Sequence, residues 1–532
     1  MARTFDRREL LGVAAGVSIF LIVPRHVLGQ GFVAPSDQVS LGYIGCGTQG
    51  LREMMSLLPH PDIRVVAVCD PNKDSNDYRD WGPGLGNQIG QFLQNTSWRE
   101  GRTGIPGGRD VGREVVEGYY AKNRTSGSYK GCTAYADFRE LLDKEKDLNG
   151  VKIMTPDHLH ATIAIAAMKK GKHVMLHKPL ANRMNEVKLA IETARQTKVA
   201  THFIPWENNG TMEYIMNWIK DDQIGTLREV HNWSNRPVWP QYTGLPTETP
   251  PVPAGFDWDL WLGPEKYRPY HPNYTHMTFR GWYDFGAGSV ADMGHYSLWA
   301  VFKALEWGPP ISAEPMASGF LTMRDLQPVR PRNDYAFPMA CILRFKFAPS
   351  GNRPAVDLFW YDGGMRPPTP PELEEDNREM PAEGMMFVGD KGKIMSGFML
   401  AGQRIIPEKK WLAYSGPKPP ADTPAGGGRR GAGGRGGAAG RGGMGSGLFS
   451  SGIGGASSPA QGLAEWIAAV RGGPQTPSSF LLAGPISEMV NLGAVALRAG
   501  TKVVYDSAGM KITNVPEANK YLTRDYRKGW EL

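Results

Sequence analysis

Between residues 39 and 204, short continuous apolar runs alternate with longer stretches whose apolar positions recur every three or four residues. A continuous apolar run bounded by turn residues marks a strand buried on both faces, and recurrence near 3.6 marks a helix packed on one side. The runs at 39–44 (VSLGYI), 64–69 (RVVAVC), 150–155, 172–176 and 199–204 read as strands. The stretches at 51–58, 138–142, 159–170 and 186–196 read as helices, with Gly171 closing the third. Alternation of this kind predicts a parallel sheet, and so an α/β, doubly wound Rossmann domain over residues 37–208. Residues 72–131 break the alternation. Rich in Gly, Asn, Arg and Trp, they read as an insertion with a helix at 111–121.

After residue 209 the texture changes. A helix at 212–220 precedes stretches rich in Trp, Pro and Tyr, then alternating runs at 227–234, 340–347 and 355–361. Gly389-Asp390-Lys391-Gly392 reads as a hairpin turn between strands at 385–388 and 393–395. Residues 209–532 therefore form an α+β, substrate-binding domain built on a large, mainly antiparallel sheet. Residues 425–458 are Gly/Arg/Ser-rich, bury no core, and read as a disordered surface loop.

The formal charge of +7 suggests a nucleic-acid partner until it is located. Residues 1–29 carry +2 of it and 425–443 carry +4, which leaves the body at +1. That excludes a phosphate-steering field and hence a nucleic-acid partner. Fifteen Trp and nineteen Tyr suit stacking on sugars, though core filling uses the same residues. Cys46, Cys69, Cys132 and Cys341 show neither a disulfide framework nor metal-ligand spacing, so no metal is expected. Residues 1–29 begin with Arg7-Arg8, continue into an apolar run at 12–23, and end in Val27-Leu28-Gly29. This reads as a twin-arginine-type signal peptide and predicts an exported, periplasmic protein with no stable membrane anchor after cleavage. The apolar run is too short to span a bilayer.

The candidate chemistry starts at Gly45-Cys46-Gly47-Thr48-Gln49-Gly50. This GxGxxG follows one strand and opens a helix, and Asp70 ends the next strand. Strand, glycine turn, helix, strand and acid make up the context of a dinucleotide site: backbone N–H groups at the helix start face phosphate, and the acid meets ribose hydroxyls. A carboxylate there repels a 2′-phosphate, so NAD is favoured over NADP. Thr155-Pro156, with His158 and His160, ends the next strand at the same edge, near the nicotinamide ribose or the substrate. Lys178-Pro179 follows the fifth strand, where ligands of open α/β sheets bind. The Lys178 ammonium would bind a hydroxyl oxygen, or act as base if desolvated. Trp206, Glu207 and Asn208 follow the last strand and line the cleft in this reading. Asp292, His295 and Tyr296 share one face if the segment is helical, and either His295 or Tyr296 would carry the proton.

GCGTQG, TPDHLHA (155–161), GKHVMLHKPLA (171–181), the Asp292 cluster, FDWDLWLGP (256–264) and GMMFVGDKGKI (384–394) together resemble the Gfo/Idh/MocA oxidoreductases. The resemblance implies a Rossmann domain followed by an open sheet, a sheet face available for self-association, and NAD(P)-dependent hydride transfer on a sugar or polyol. It implies that Lys178 is the lysine of the family's Glu-Lys-Pro motif, with His177 standing where the family has Glu. It implies an acid/base role for Asp292 and the residue four places on, here Tyr296. Two alternatives remain: a glycosidase or lyase that oxidises a sugar hydroxyl transiently with tightly bound NAD, and a non-catalytic sugar-binding protein.

Overall fold

The computed structural model describes residues 37–80, 82–123, 129–204, 209–351, 353–420 and 459–532. The signal-like segment, the Gly/Arg-rich run, and Trp206, Glu207 and Asn208 lie outside the described residues. Six strands form the first sheet: β1 (Val39–Ile44), β2 (Ile63–Cys69), β3 (Thr133–Tyr135), β4 (Gly150–Ile153), β5 (His173–His177) and β6 (Thr201–Ile204). They are all parallel, in the order β3-β2-β1-β4-β5-β6. This is the Rossmann order, with the switch point between β1 and β4, where a ligand crevice opens beyond the strand ends. β1 is buried almost throughout, as its unbroken apolar run requires. The 72–131 insertion contains helices Leu85–Phe92 and Arg109–Asn123 and fits within the β2–β3 connection, so the sheet order survives it.

The second domain contains nine strands in one sheet: β7 (Leu227–Trp233), β8 (Ser312–Ala317), β11 (Cys341–Phe347), β12 (Val356–Tyr361), β13 (Gly384–Gly389), β14 (Lys393–Ser396), β15 (Arg404–Ile406), β16 (Val503–Asp506) and β17 (Lys511–Ile512). A separate ribbon pairs β9 (Thr322–Arg324) with β10 (Gln327–Val329). The large sheet runs β15-β14-β13-β7-β12-β11-β8-β16-β17 and is antiparallel but for β7 and β12, which pair parallel. The expected hairpin turn is present, with the Gly389 N–H donating to the Gly392 carbonyl at 2.9 Å. Helix Gly484–Ala499 packs on β8 and on the Rossmann helix Met184–Thr197. One hydrophobic core thereby joins the domains, with Leu176 and Phe203 of the first sheet in the same cluster as Leu358 and Val490. Burial on that scale holds the two walls of the cleft as one body. Among the described residues no helix is long and apolar enough to cross a membrane, and no group of three His, Cys, Asp or Glu is placed to hold a metal. The four cysteines are buried free thiols.

Candidate active site

A cleft of about 700 Å³ runs from the glycine turn to the ends of β4 and β5. Gly45 sits at φ +102°, and a Cβ there would come within 2.5 Å of the Met154 carbonyl carbon, so only glycine lets β1 turn so close to β4. A Cβ on Gly50 would collide with the Gly45 carbonyl oxygen. At Gly47 the nearest obstacle is the Tyr78 ring, 3.4 Å away, which leaves space over the start of helix Thr48–Leu57. That helix start has no side-chain cap, so its N–H groups face the cleft as a phosphate site. Asp70 accepts from the Cys46 and Asn72 N–H groups, each at 2.8 Å, and keeps further lone pairs for hydroxyls. Burial pushes its carboxyl up to about 6, which still leaves it ionised at neutral pH. Cys46 contributes backbone only; its thiol packs beside Gly112. Thr155 and Pro156 line the cleft, and the buried Thr155 Oγ1 has no hydrogen-bond partner. An open cradle over a helix start, an acid at the second strand's end and an orphaned hydroxyl fit a dinucleotide.

At the far end Lys178, Asp292 and Tyr296 meet. The Lys178 ammonium donates to Asp292 Oδ1 and lies 5.1 Å from the centroid of the Tyr296 ring. Arg280 Nε is 3.6 Å from Asp292 Oδ1, and Arg236 Nη1 is 3.7 Å from Oδ2. Asp292 Oδ2 is buried without a hydrogen bond. Burial works against the Asp292 charge, yet Lys178 first, then Arg280 and Arg236, hold its carboxyl well below the usual range. Burial lowers Lys178 to about 8 against the pull of Asp292.

The structure separates Tyr296 from His295. Val290–Gly294 is a π-turn that leads into helix His295–Ala304. An i→i+5 turn advances each residue by roughly 80°, not the 100° of an α-helix. Position i+4 then stays near the face of Asp292, and i+3 swings away. Tyr296 accordingly lines the cleft, whereas His295 is buried against Phe203, its Nδ1–H donating to the Ala291 carbonyl at 2.9 Å. Burial lowers His295 to about 3. The expectation that His295 and Asp292 share one face therefore fails.

His158 and His160 also lie outside the cleft wall. His158 is wedged between the carbonyls of Trp261 (2.9 Å) and Phe285 (3.3 Å). His160 lies between those of Thr155 (2.8 Å) and Pro179 (2.6 Å). The first latches the 261–285 segment to the end of β4; the second spaces the β4 end from the β5 end. Both are pushed down by burial, His158 to about 3. Pro179 takes part through its carbonyl and does not line the cleft. Asp157, between them, pairs with Arg280 at 3.2 Å and accepts from the Ala287 N–H at 3.0 Å, fixing the loop that carries Arg280.

Sequence reasoning missed Glu53, Lys152, Arg236 and Arg280, all of which line the cleft. It also missed helix Pro459–Val470, whose Gly462 approaches His202 so closely that a Cβ would sit 2.7 Å from its Nε2.

A parallel sheet in Rossmann order, with a glycine turn at one end of the crevice and a lysine at the other, defines a two-domain protein of the dinucleotide-binding class. Residues 114–203 match the Gfo/Idh/MocA model described as oxidoreductase family, NAD-binding Rossmann fold, and residues 216–306 match the model of that family's C-terminal alpha/beta domain. Over those two stretches the chain matches the Gfo/Idh/MocA oxidoreductase family. It is similar to levoglucosan dehydrogenase of Pseudarthrobacter phenanthrenivorans, 34% identical over 112 residues, which is 20% of this chain and 28% of that one. It is also similar to a glycosyl hydrolase family 109 protein of Shewanella sp., 24% identical over 221 residues, 40% of each chain. The chain thus spans well under half the length of these curated relatives. Among solved structures, the WlbA dehydrogenase from Bordetella pertussis, in complex with NADH and UDP-GlcNAcA, aligns with a TM-score of 0.48 at 14% identity, over 88% of this chain and 99% of that one.

Proposed function

We propose that the protein is an NAD-dependent oxidoreductase that moves hydride to or from a secondary hydroxyl of a sugar or polyol. The observation that carries this reading is the meeting of Lys178, Asp292 and Tyr296 at the end of the cleft that begins at the glycine turn. Bound NAD supplies a hydride acceptor or donor at its nicotinamide ring. Gly45, Gly47 and the helix start after them hold the pyrophosphate, and Asp70 holds ribose hydroxyls while disfavouring a 2′-phosphate. With its pKa near 8, Lys178 is mainly an ammonium at neutral pH. It therefore donates to the substrate oxygen and stabilises the charge that develops there. Tyr296, beside it, carries the hydroxyl proton. Asp292 Oδ2, buried and without a hydrogen bond, accepts from a second hydroxyl of the substrate, which suits a vicinal diol.

A second reading, redox-neutral glycoside cleavage through a transient ketone, is favoured by the similarity to glycosyl hydrolase family 109 proteins. Purified protein given polyols and glycosides without added cofactor separates the readings. Absorbance of reduced nicotinamide appearing with a polyol supports the first. Release of free sugar without it supports the second. No turnover and no retained nucleotide would leave a sugar-binding protein.

The arginine pair and apolar run of residues 1–29 support export through a twin-arginine route, which carries folded proteins. An exported enzyme meets no free NAD pool, so this reading requires NAD to leave the cytoplasm already bound. Mature protein beginning after residue 29, with nucleotide retained, is the expected result of periplasmic fractionation and mass spectrometry.

A further inference from the structure

His177 stands where the Glu-Lys-Pro motif has Glu, and the structure gives the substitution a purpose. The Tyr296 hydroxyl lies 2.9 Å from His177 Nε2. Glu53 Oε1, from helix Thr48–Leu57, lies 3.4 Å from the same nitrogen, placed to pair with the ring once it is protonated. The other Glu53 oxygen accepts from Lys152 Nζ at 2.7 Å, and Gln49 Nε2 reaches Oε1 at 3.5 Å. Lys152 is 2% exposed and stands within the apolar β4, so its ammonium depends on this partner. His177 is 7% exposed. These groups come from three separate elements and converge beside Tyr296 on the wall of the same cleft.

We propose that Tyr296, His177 and Glu53 form a proton relay, with Lys152 holding Glu53 in place. The proposal rests on the oxidoreductase reading and deepens it. In the oxidation direction the substrate O–H bond breaks and its proton goes to the Tyr296 oxygen. The Tyr296 O–H bond breaks and that proton goes to His177 Nε2. The two electrons of the substrate C–H bond leave as hydride to the nicotinamide. The proton gained therefore ends as an imidazolium on His177, beside the Glu53 carboxylate, and no tyrosinate has to persist in the cleft. Tyr296 touches substrate and is catalytic; His177 and Glu53 act through it.

The electrostatics agree with that assignment. Burial opposes a charge on Glu53, but the Lys152 ammonium holds its carboxyl below the usual range, so it is an anion at working pH. Burial holds His177 neutral at rest, so Nε2 is able to accept. The charged and titratable groups around the ring are Glu53, Lys178, Lys152, His160 and Tyr296, and among the nearby charges Glu53 is the one that favours the imidazolium. The neighbouring Lys178 ammonium disfavours it, which makes the proton's stay on His177 brief.

The test uses the full chain with its retained nucleotide and a polyol that the wild type oxidises. Glu53→Gln is isosteric but takes the anion from the buried Lys152, so its fold is checked by Tm and circular dichroism; the folded variant is expected to lower kcat about 10- to 100-fold with KM changed less than about threefold. The rising limb of its pH profile should move to higher pH, where Tyr296 loses its proton to solvent instead. His177→Phe should show the same shift with a larger loss. Histidine ¹⁵N NMR of the nucleotide-free wild type, with His177→Phe identifying the signal, should find Nε2 without a proton, and Tyr296→Phe should move that resonance. A protonated Nε2 in the wild type, or an unshifted pH profile in folded Glu53→Gln, overturns the relay. Unchanged turnover in Lys178→Ala, or no wild-type turnover on any polyol, removes the oxidoreductase reading and the relay with it. Wild-type turnover that Glu53→Gln leaves untouched removes the relay alone.

Discussion

Two buried charge clusters begin five residues apart, at Lys178 and at Arg183, and only one faces the cleft. Arg183 donates to the carbonyls of Asn182 (2.9 Å) and Tyr283 (3.0 Å) and to the carboxylates of Glu265 (3.0 Å) and Asp284 (3.3 Å). Arg524, near the C-terminal end, reaches Glu265 at 2.7 Å and Glu186 at 2.9 Å, and the Tyr526 hydroxyl takes the other Glu186 oxygen at 2.9 Å. Every carboxylate in that cluster is spoken for. Around Lys178 the charges are as deeply buried, yet Asp292 Oδ2 and Thr155 Oγ1 are left without a hydrogen bond inside a cavity. Burial and charge are common to both clusters; unfinished hydrogen bonding aimed into open space is what marks the site.

The contrast breaks most visibly if Lys178→Ala is harmless. The expected loss is about 10²- to 10⁴-fold in kcat, with retained nucleotide and an undiminished Tm, because Asp292 keeps two arginines. Arg524→Met should do the reverse. It removes the cation from Glu186, which keeps only the Tyr526 hydroxyl, and one of two arginines from Glu265, and the cost expected in chemical denaturation is about 3–5 kcal/mol, the usual penalty for breaking a buried pair. A loss below about 1 kcal/mol would make the two clusters alike. The pH profile sharpens the difference. Lys178 is an ammonium below about 8 and loses its proton above, so kcat should fall toward tenfold per unit as pH rises past that value. A rate that climbs through the same range would make Lys178 the base. The smallest effect belongs to His295→Gln, expected to cost about 1 kcal/mol of stability and to leave kcat within about twofold. A hundredfold loss there would return His295 to the chemistry.

The Rossmann half was legible because its signals are local: GCGTQG, the strand before it, the helix after it and Asp70 all lie within a few dozen residues. Lys178 was legible from its place after a strand. His158 and His160 misled because their partners, the carbonyls of Trp261, Phe285 and Pro179, are distant in sequence, and a latch looks like a ligand until they appear. Lys152 carried a signal that went unused: a lysine within the apolar GVKI strand demands a buried anion, and Glu53 is that anion. The parallel pairing of β7 with β12 left no mark, since alternation along a strand records which face is buried and not the direction of its neighbour.

The π-turn at Val290–Gly294 also ties the sequence to its winding. A turn one residue wider than its α-helical counterpart shifts everything after it by one place. The four-residue spacing from Asp292 to Tyr296 and the width of the turn are therefore a matched pair, and winding the same sequence as an ordinary helix would swing His295 back toward the face of Asp292.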